Sequence, residues 1–269
     1  MREHEVADDA TSAAVSTPGA PIPIPTTEEW ARYLAPVLRD AINGLKILPD
    51  AIRAGLATSL LPFVIKWMMV ESGGDPCAVG YPADHGASTT SPVEWRSMPR
   101  EIGIAQMWNP DDFQALGLSP VAMRAYCVPG DRHQRTWNGK PVVGFSGEIA
   151  RPLTDAEMHE QAVGLVGMIT KSVHTAMSDL IGIGAGPGWT ADKADFWHVV
   201  KLQHGMPQVS HLGFPAVKKK LGRPPSGWNE FRANVAALLP QLNAGQVAMV
   251  LRNAEETASA FAAPDQATV

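Results

Sequence analysis

Cysteine is almost absent from this 269-residue chain, which contains only Cys77 and Cys127. Two cysteines exclude a small fold that is held together by a framework of several disulfides. The sequence leaves open whether they form one bridge or remain buried free thiols. A zinc site is not indicated either, because His159-Glu160 begins like the HExxH helix of a metalloprotease but Val163 stands where the second histidine is needed. The sequence therefore predicts no metal and no organic cofactor.

Basic residues are also scarce. The chain has 22 Lys and Arg against 27 Asp and Glu, which gives a formal net charge of -5. Proteins that bind nucleic acid usually concentrate positive charge on one face. The single basic run, residues 218–220, is typical of a solvated helix face. We therefore expect no nucleic-acid partner.

Long hydrophobic runs are missing as well. The most apolar window, residues 54–70, is interrupted by Pro62 and Lys66 and is too short and too broken to span a bilayer. It predicts a buried core helix instead. The first residues, MREHE, include acidic side chains and are not followed by the apolar segment of a secretory signal peptide. We expect no membrane span and no signal peptide.

The residues that are present favour a mainly α domain. The hydrophobic share of 45% is ordinary for a globular protein, so a core can form. Residues 1–25 end in the run PIPIP and predict a flexible arm. We assign residues 26–262 to one domain with accessory helices at both ends, and residues 263–269 to a tail.

Helical periodicity and capping signals predict the elements of this domain. A capping box at Thr26 opens the first helix, in which Pro36 is expected to cause a kink. Further helices are predicted after residue 49, over 62–72, after Asn109-Pro110 and Ser119-Pro120, over 154–181, after a cap at Thr190, and twice near the C-terminus. Residues 73–102 form a long loop, 137–140 predict the turn of one small β-ribbon, and the glycine-rich residues 182–188 are a linker rather than a nucleotide-binding loop.

Glu71 is the first candidate for chemistry. It stands at the end of the apolar helix, directly before Ser72 and the pair Gly73-Gly74 that opens the chain. A partly desolvated carboxyl group there is expected to have a raised pKa. Cleavage of a glycosidic bond requires such a protonated acid beside the leaving oxygen.

Three short stretches resemble the soluble lytic transglycosylase family, within the goose-type lysozyme-like superfamily. Residues 71–79 read ESGGDPCAV, close to the family's Glu-Ser, Gly and Asn-Pro-x-Ala, with Asp75 in place of Asn. Residues 103–106 read GIAQ and keep the Gly and Gln of Gly-Leu-Met-Gln. Residues 201–205 read KLQHG, a degenerate form of Ala-Tyr-Asn-x-Gly in which Leu202 replaces Tyr and Gln203 replaces Asn. The resemblance covers residues 58–215, and the insertion at 77–100 is longer than the family norm.

The resemblance implies a lysozyme-like fold and a reaction on peptidoglycan glycan strands. Glu71 would protonate the oxygen between N-acetylmuramic acid and N-acetylglucosamine and then deprotonate the muramoyl 6-hydroxyl, giving 1,6-anhydro ends. Gln106 would hydrogen-bond the sugar, Ser72 would orient Glu71, and Gln203 would replace the family Asn. One carboxylate suffices because the nucleophile belongs to the substrate.

Two alternatives remain open. A muramidase would hydrolyse the same bond with a second carboxylate, for which the candidates are Glu101, Asp84, Glu94, Asp111 and Asp112. The last two also suit the first turn of a helix. A non-catalytic structural or wall-binding protein of a virion would keep the fold and lose the chemistry, which the degenerate third motif favours.

Aromatic residues and delivery complete the expectations. Sugar rings stack on aromatic faces. The candidate cleft residues are therefore Trp108, Tyr81, Trp95 and Trp137. Trp67 and Trp197 are predicted to belong to the core. Without a signal peptide, we expect the enzyme to reach the cell wall with a phage particle, as an endolysin, or through a secretion assembly.

Overall fold

The computed structural model describes residues 22–80, 101–137 and 140–261. Within these ranges the chain forms nine α-helices and one two-stranded sheet, as the mainly α prediction requires. The helices are α1 Thr27–Gly44, α2 Asp50–Ser59, α3 Leu61–Ser72, α4 Pro110–Ala115, α5 Asp155–Ile183, α6 Ala194–Gly205, α7 Pro207–Leu221, α8 Trp228–Leu238 and α9 Ala244–Ala258. The strands are β1 Cys127–Trp137 and β2 Lys140–Ile149.

Helix α1 begins where the capping signal predicts. The hydroxyl of Thr26 accepts a hydrogen bond from the backbone of Glu29, whose carboxylate accepts one from the backbone of Thr26 in return. The helix continues through Pro36 to Gly44. Its buried residues recur at every fourth position, so that one stripe faces the core: Trp30, Leu34, Leu38 and Ile42.

Helix α3 lies in the core on one face only. Pro62 occupies its first turn, and Gly73 ends it with a left-handed φ of 66°. The side chains of Phe63, Val64, Trp67 and Met68 are buried, but Met69 is 41% exposed. The helix predicted to be buried in the core is therefore buried along one face, and Glu71, near its end, lines a cleft.

The long helix α5 is the centre of the fold. Thr154 caps it through a second capping box, and the helix packs against α1, α6 and α7. Helix α6 packs in turn against α9. The predicted C-terminal helices are confirmed as α8 and α9, and the glycine-rich stretch after Gly184 is a linker between α5 and α6.

Three details differ from the sequence prediction. Ser119 opens only a single 3-10 turn at Ala122–Arg124, because the chain turns into β1 directly afterwards. Helix α6 begins at Ala194 rather than after Thr190, whose carbonyl accepts a hydrogen bond from the backbone of Lys193 in a preceding turn. Helix α7 was not predicted as a separate helix, since two prolines, one of them inside the helix, obscure its pattern.

The predicted β-ribbon is confirmed as the hairpin of β1 and β2. The strands pair antiparallel from Cys127 opposite Ile149 to Trp137 opposite Lys140, with a bulge after Pro129.

A disulfide between Cys77 and Cys127 joins the segment after α3 to the start of β1, with the two Cα atoms 5.7 Å apart. Both cysteines are buried beside Tyr126. The two cysteines are therefore bridged, and the alternative of buried free thiols, which the sequence left open, does not apply. The bridge closes a loop that contains the second motif.

Over the described ranges, no single helix has the length and apolar composition needed to cross a membrane. Two helical segments, 50–57 and 61–72, are bent relative to each other, and they meet these two criteria only when their lengths are combined.

Candidate active site

An open cleft of about 620 Å³ brings residues of all three motifs together: Glu71 of the first, Gln106 of the second, and Lys201, Gln203, His204 and Gly205 of the third. Its walls come from the end of α3, the turn before α4, and helices α5, α6, α7 and α9. Glu71 and Gln106, which lie 35 positions apart in the sequence, both line it. Glu101 and Trp108 line it as well.

Glu71 projects from the last turn of α3 and keeps 19% of its side chain exposed. The ammonium group of Lys201 donates a hydrogen bond to its Oε1 atom. The Nε2 atom of His204 lies 3.5 Å from the same oxygen. Both partners come from one face of α6, three residues apart. A cation in contact favours the ionised form of a carboxyl group, so Glu71 has a charged partner that the sequence did not indicate.

Lys201 is almost fully enclosed, with 3% of its side chain exposed. Its Nζ atom also lies 4.6 Å from the ring centroid of Trp67, a cation-π distance. Burial lowers the pKa of Lys201 to about 7. Burial, followed by the positive charge of Lys201, holds the pKa of His204 well below its usual value, so this imidazole is neutral.

Gln106 belongs to a tight turn whose backbone is strained. Its φ is 49°, and it is the one non-glycine residue of the described ranges with a left-handed φ. Its side-chain nitrogen donates hydrogen bonds to the carbonyl oxygens of Gly103, at 2.8 Å, and Ala78, at 3.2 Å. The amide nitrogen of Gln106 therefore braces the loop, and the side chain is 91% enclosed, with 9% exposed.

Glu101 and Gln106 approach each other over Gly80. A Cβ atom at Gly80 would overlap both Oε2 of Glu101 and Oε1 of Gln106, so the glycine is what permits their approach. No residue of the described ranges hydrogen-bonds the Glu101 carboxyl group. Burial raises the pKa of this group to about 7. Glu101 is therefore a cleft carboxyl group that keeps its proton to a higher pH than an ordinary glutamate.

Ser72 contributes in a different way from that expected. Its hydroxyl donates to the carbonyl oxygen of Met68, at 3.0 Å, and to that of Ile104, at 3.3 Å. It also accepts a hydrogen bond from the backbone of Gly74. Ser72 thus links the end of α3 to the second motif, rather than contacting the Glu71 carboxylate.

Gln203 lines the cleft, but its side-chain nitrogen is engaged with residues of α5 and α7. Its side-chain nitrogen donates to Asp179 and to Ser210. The carbonyl oxygen is buried and has no hydrogen-bond partner among the described residues. An Asn-like contact with a sugar would need this amide to leave its present partners.

The structure places the other candidates in different surroundings. Trp108 is 64% exposed at the rim of the cleft, where an aromatic face is available to a sugar ring. Asp111 and Asp112 lie in the first turn of α4, and Asp112 pairs with Lys171 at 2.6 Å. Candidates outside the described residues are Tyr81, Asp84, Glu94 and Trp95, while Trp137 ends β1. Trp67 and Trp197 are buried in the core, as predicted.

Sequence reasoning assigned no role to Lys201 and His204, although both lie in the third motif. Their spacing of three along a helix was the available signal, because it places both on one face. The partner of that face, Glu71, is 130 residues away and could not be inferred from spacing.

Among the described residues, no group of three or more His, Cys, Asp or Glu side chains is arranged to hold a metal ion. Comparison of the chain with family models, with curated proteins and with solved structures finds no match.

Proposed function

We propose that this chain is a peptidoglycan lytic transglycosylase that cleaves the bond between N-acetylmuramic acid and N-acetylglucosamine, with Glu71 as its acid and base. One observation carries the proposal: Glu71 and Gln106, predicted from separate motifs, line one open cleft. A glycan strand needs such an open groove because it extends beyond the bond that is cut. A lysozyme-like fold and peptidoglycan glycan strands as the ligand are part of the same proposal.

The lining of the cleft suits a sugar polymer. Exposed apolar side chains lie at its rim, with Trp108 64% and Met249 45% exposed. The aromatic face of Trp108 is of the kind that stacks on sugar rings. Polar groups, among them Ser172, Thr175 and Asn253, line the remaining wall and offer hydrogen bonds to hydroxyl and N-acetyl groups.

In the proposed reaction, the Glu71 carboxyl group gives its proton to the glycosidic oxygen as that bond breaks. The resulting carboxylate then takes the proton of the muramoyl 6-hydroxyl, whose oxygen attacks the anomeric carbon. The product is a 1,6-anhydro end. No water is consumed, so a second carboxylate is not needed.

Hydrolysis is the second candidate, and Glu101 is the observation that favours it. Its carboxyl group lines the same cleft as Glu71. Two carboxyl groups in unlike environments, one beside a cation and one desolvated, are the usual arrangement of an acid and a base in glycosidases. A muramidase would use this pair to activate water and would leave reducing ends.

A third candidate is a non-catalytic wall-binding or structural protein of a virion, for which the engaged amide of Gln203 is the supporting observation. Delivery by a phage particle or a secretion assembly is part of the proposal in either catalytic case. The buried disulfide supports a place of action outside a reducing compartment, since such bridges persist in oxidising surroundings.

The test is digestion of purified sacculi by the full chain, with products identified by mass spectrometry. We expect 1,6-anhydro muropeptides, and a loss of about 10²- to 10⁴-fold in rate for Glu71→Gln, because the general acid is removed. Glu28→Gln, at an exposed position in α1, is the matched control and should leave the rate unchanged. Reducing ends would favour the muramidase, and binding without solubilisation would favour the non-catalytic protein.

A further inference from the structure

The contact between Glu71 and Lys201 has a consequence for the proposed reaction. The inference drawn from it rests on the proposed function. We propose that Glu71 and Lys201 share one transferable proton, and that Lys201 is the positioning residue that supplies this proton to Glu71 for each round of acid catalysis. Lys201 acts through Glu71 and does not contact the sugar.

The geometry gives the first argument. Nζ of Lys201 hydrogen-bonds Oε1 of Glu71 directly, so a proton can pass between them without water. Lys201 keeps only 3% of its side chain exposed, and the Trp67 ring of α3 lies 4.6 Å from Nζ. An ion pair in such surroundings loses much hydration. Transfer of the proton from nitrogen to oxygen converts it into a neutral amine and a neutral acid, which removes that cost.

The neighbouring His204 does not compete with Lys201 in this proton exchange. His204 is neutral, and its Nδ1 atom is buried without a partner in the described ranges, which fits the tautomer that carries hydrogen on Nε2. This imidazole can donate to Glu71 but cannot compete as a cation. Burial lowers the pKa of Lys201 to about 7, which makes its proton available near neutral pH.

The elements packed around the pair bring few other charges to the cleft. The titratable groups that line it are Glu101 before the turn, Asp112 on α4, Lys171 on α5 and His211 on α7. Two of these charges already have partners, since Asp112 pairs with Lys171. The residues of α9 in the cleft are Met249, Val250 and Asn253, which do not titrate. On α3, Lys66 pairs with Glu256 of α9.

The protons balance through the cycle. The ammonium of Lys201 gives its proton to the Glu71 carboxylate, and Glu71 gives it to the glycosidic oxygen as the carbon-oxygen bond breaks. The pair then carries one negative charge beside the positively charged sugar ring, which stabilises that ring. Glu71 finally takes the proton of the attacking hydroxyl, and the pair regains its single proton.

Two substitutions at Lys201 separate proton supply from a purely electrostatic or structural role. Arginine keeps the positive charge but cannot release a proton. Methionine has neither a charge nor a transferable proton, and it leaves Glu71 without a cation. Lys66→Met, which breaks an ion pair on the same helix as Glu71, is the matched control. Rates on sacculi are measured from about pH 4 to 9, across the range in which the pair titrates.

We expect Lys201→Arg to lose at least about 10²-fold in rate at every pH, since its guanidinium holds Glu71 in the carboxylate form. We expect Lys201→Met to retain a rate within about tenfold of the unaltered chain near pH 5, where Glu71 protonates from solvent, and to lose it as pH rises to about 7. An arginine variant as active as the methionine variant, or a methionine variant inactive at all pH values, overturns the inference.

A readout without catalysis keeps this inference separable from the proposed function. The unaltered chain, labelled with ¹⁵N in lysine side chains and ¹³C in glutamate carboxyl groups, is titrated by NMR, and signals are assigned with the Lys201→Met and Glu71→Gln variants. Coupled titration of Lys201 Nζ and Glu71 Cδ near pH 7 supports the shared proton even if the chain proves inactive. A Lys201 that stays protonated up to about pH 9, while Glu71 titrates alone near 4, refutes it even if the enzyme is active.

Discussion

The side-chain oxygen of Gln161, on α5, accepts a hydrogen bond from the backbone nitrogen of Ile104 at 3.1 Å. The nitrogen of the same side chain donates to the hydroxyl of Tyr126, at 2.6 Å, and to the carbonyl oxygen of Met123, at 3.3 Å. Gly103 can lie against Gln161 only because it has no Cβ atom. One buried glutamine thus fixes the second motif to the longest helix and, through Tyr126, to the region of the disulfide.

This relationship predicts that Gln161→Leu destabilises the fold. The substitution leaves a backbone N–H, a carbonyl oxygen and a hydroxyl group buried without their partner, which should lower the free energy of unfolding by about 3 kcal/mol. Chemical denaturation measures it. Gln114→Leu, at an exposed position of α4, is the control and should change the free energy of unfolding by less than about 0.5 kcal/mol. Equal stability of the two variants would mean that Gln161 does not hold the motif.

The raised pKa of Glu101 predicts how stability depends on pH. The folded state keeps the proton up to about pH 7, whereas the unfolded chain releases it near the ordinary value of 4.5. Between these values the folded state binds more protons, so stability is fully present below pH 4.5 and falls as pH rises through 7. The fall attributable to this group is at most about 4 kcal/mol, since one pKa unit corresponds to about 1.4 kcal/mol.

Denaturation curves at pH values from about 4 to 8 check this prediction, and Glu101→Gln should remove that part of the dependence. The variant is compared with Glu28→Gln, which removes an exposed carboxyl group of α1. An unchanged slope in Glu101→Gln would show that its carboxyl group titrates alike in the folded and unfolded chain.

The disulfide predicts a loss of stability on reduction. The bridge spans 50 residues, and closing a loop of that length removes unfolded-state entropy worth about 4 kcal/mol. We expect the Cys77→Ala and Cys127→Ala double variant to unfold at lower denaturant concentration than the oxidised chain. Reductant should lower the midpoint of the unaltered chain and leave that of the double variant where it is. A midpoint that is insensitive to reductant in both would mean that the bridge is not formed in solution.

The helical part of the fold follows from short-range signals. The capping boxes at Thr26 and Thr154, the Asn109-Pro110 start of α4 and the Gly73 stop of α3 all lie within a few residues of the element that they define. Such signals act locally and can be read from the chain alone. Prediction failed at Thr190, where a turn precedes the helix, and at α7, which contains two prolines.

The sequence by itself determined the mainly α class, the position of Glu71 at the end of an apolar helix, and the glycine that ends this helix, because these depend on neighbours along the chain. Only the tertiary structure decided what Glu71 faces. Its partner Lys201 is 130 residues away, and the burial of that lysine results from the packing of α6 against the rest of the core. Which group carries a proton in this cleft depends on desolvation and on charges brought together by folding, and spacing in the sequence does not contain that information.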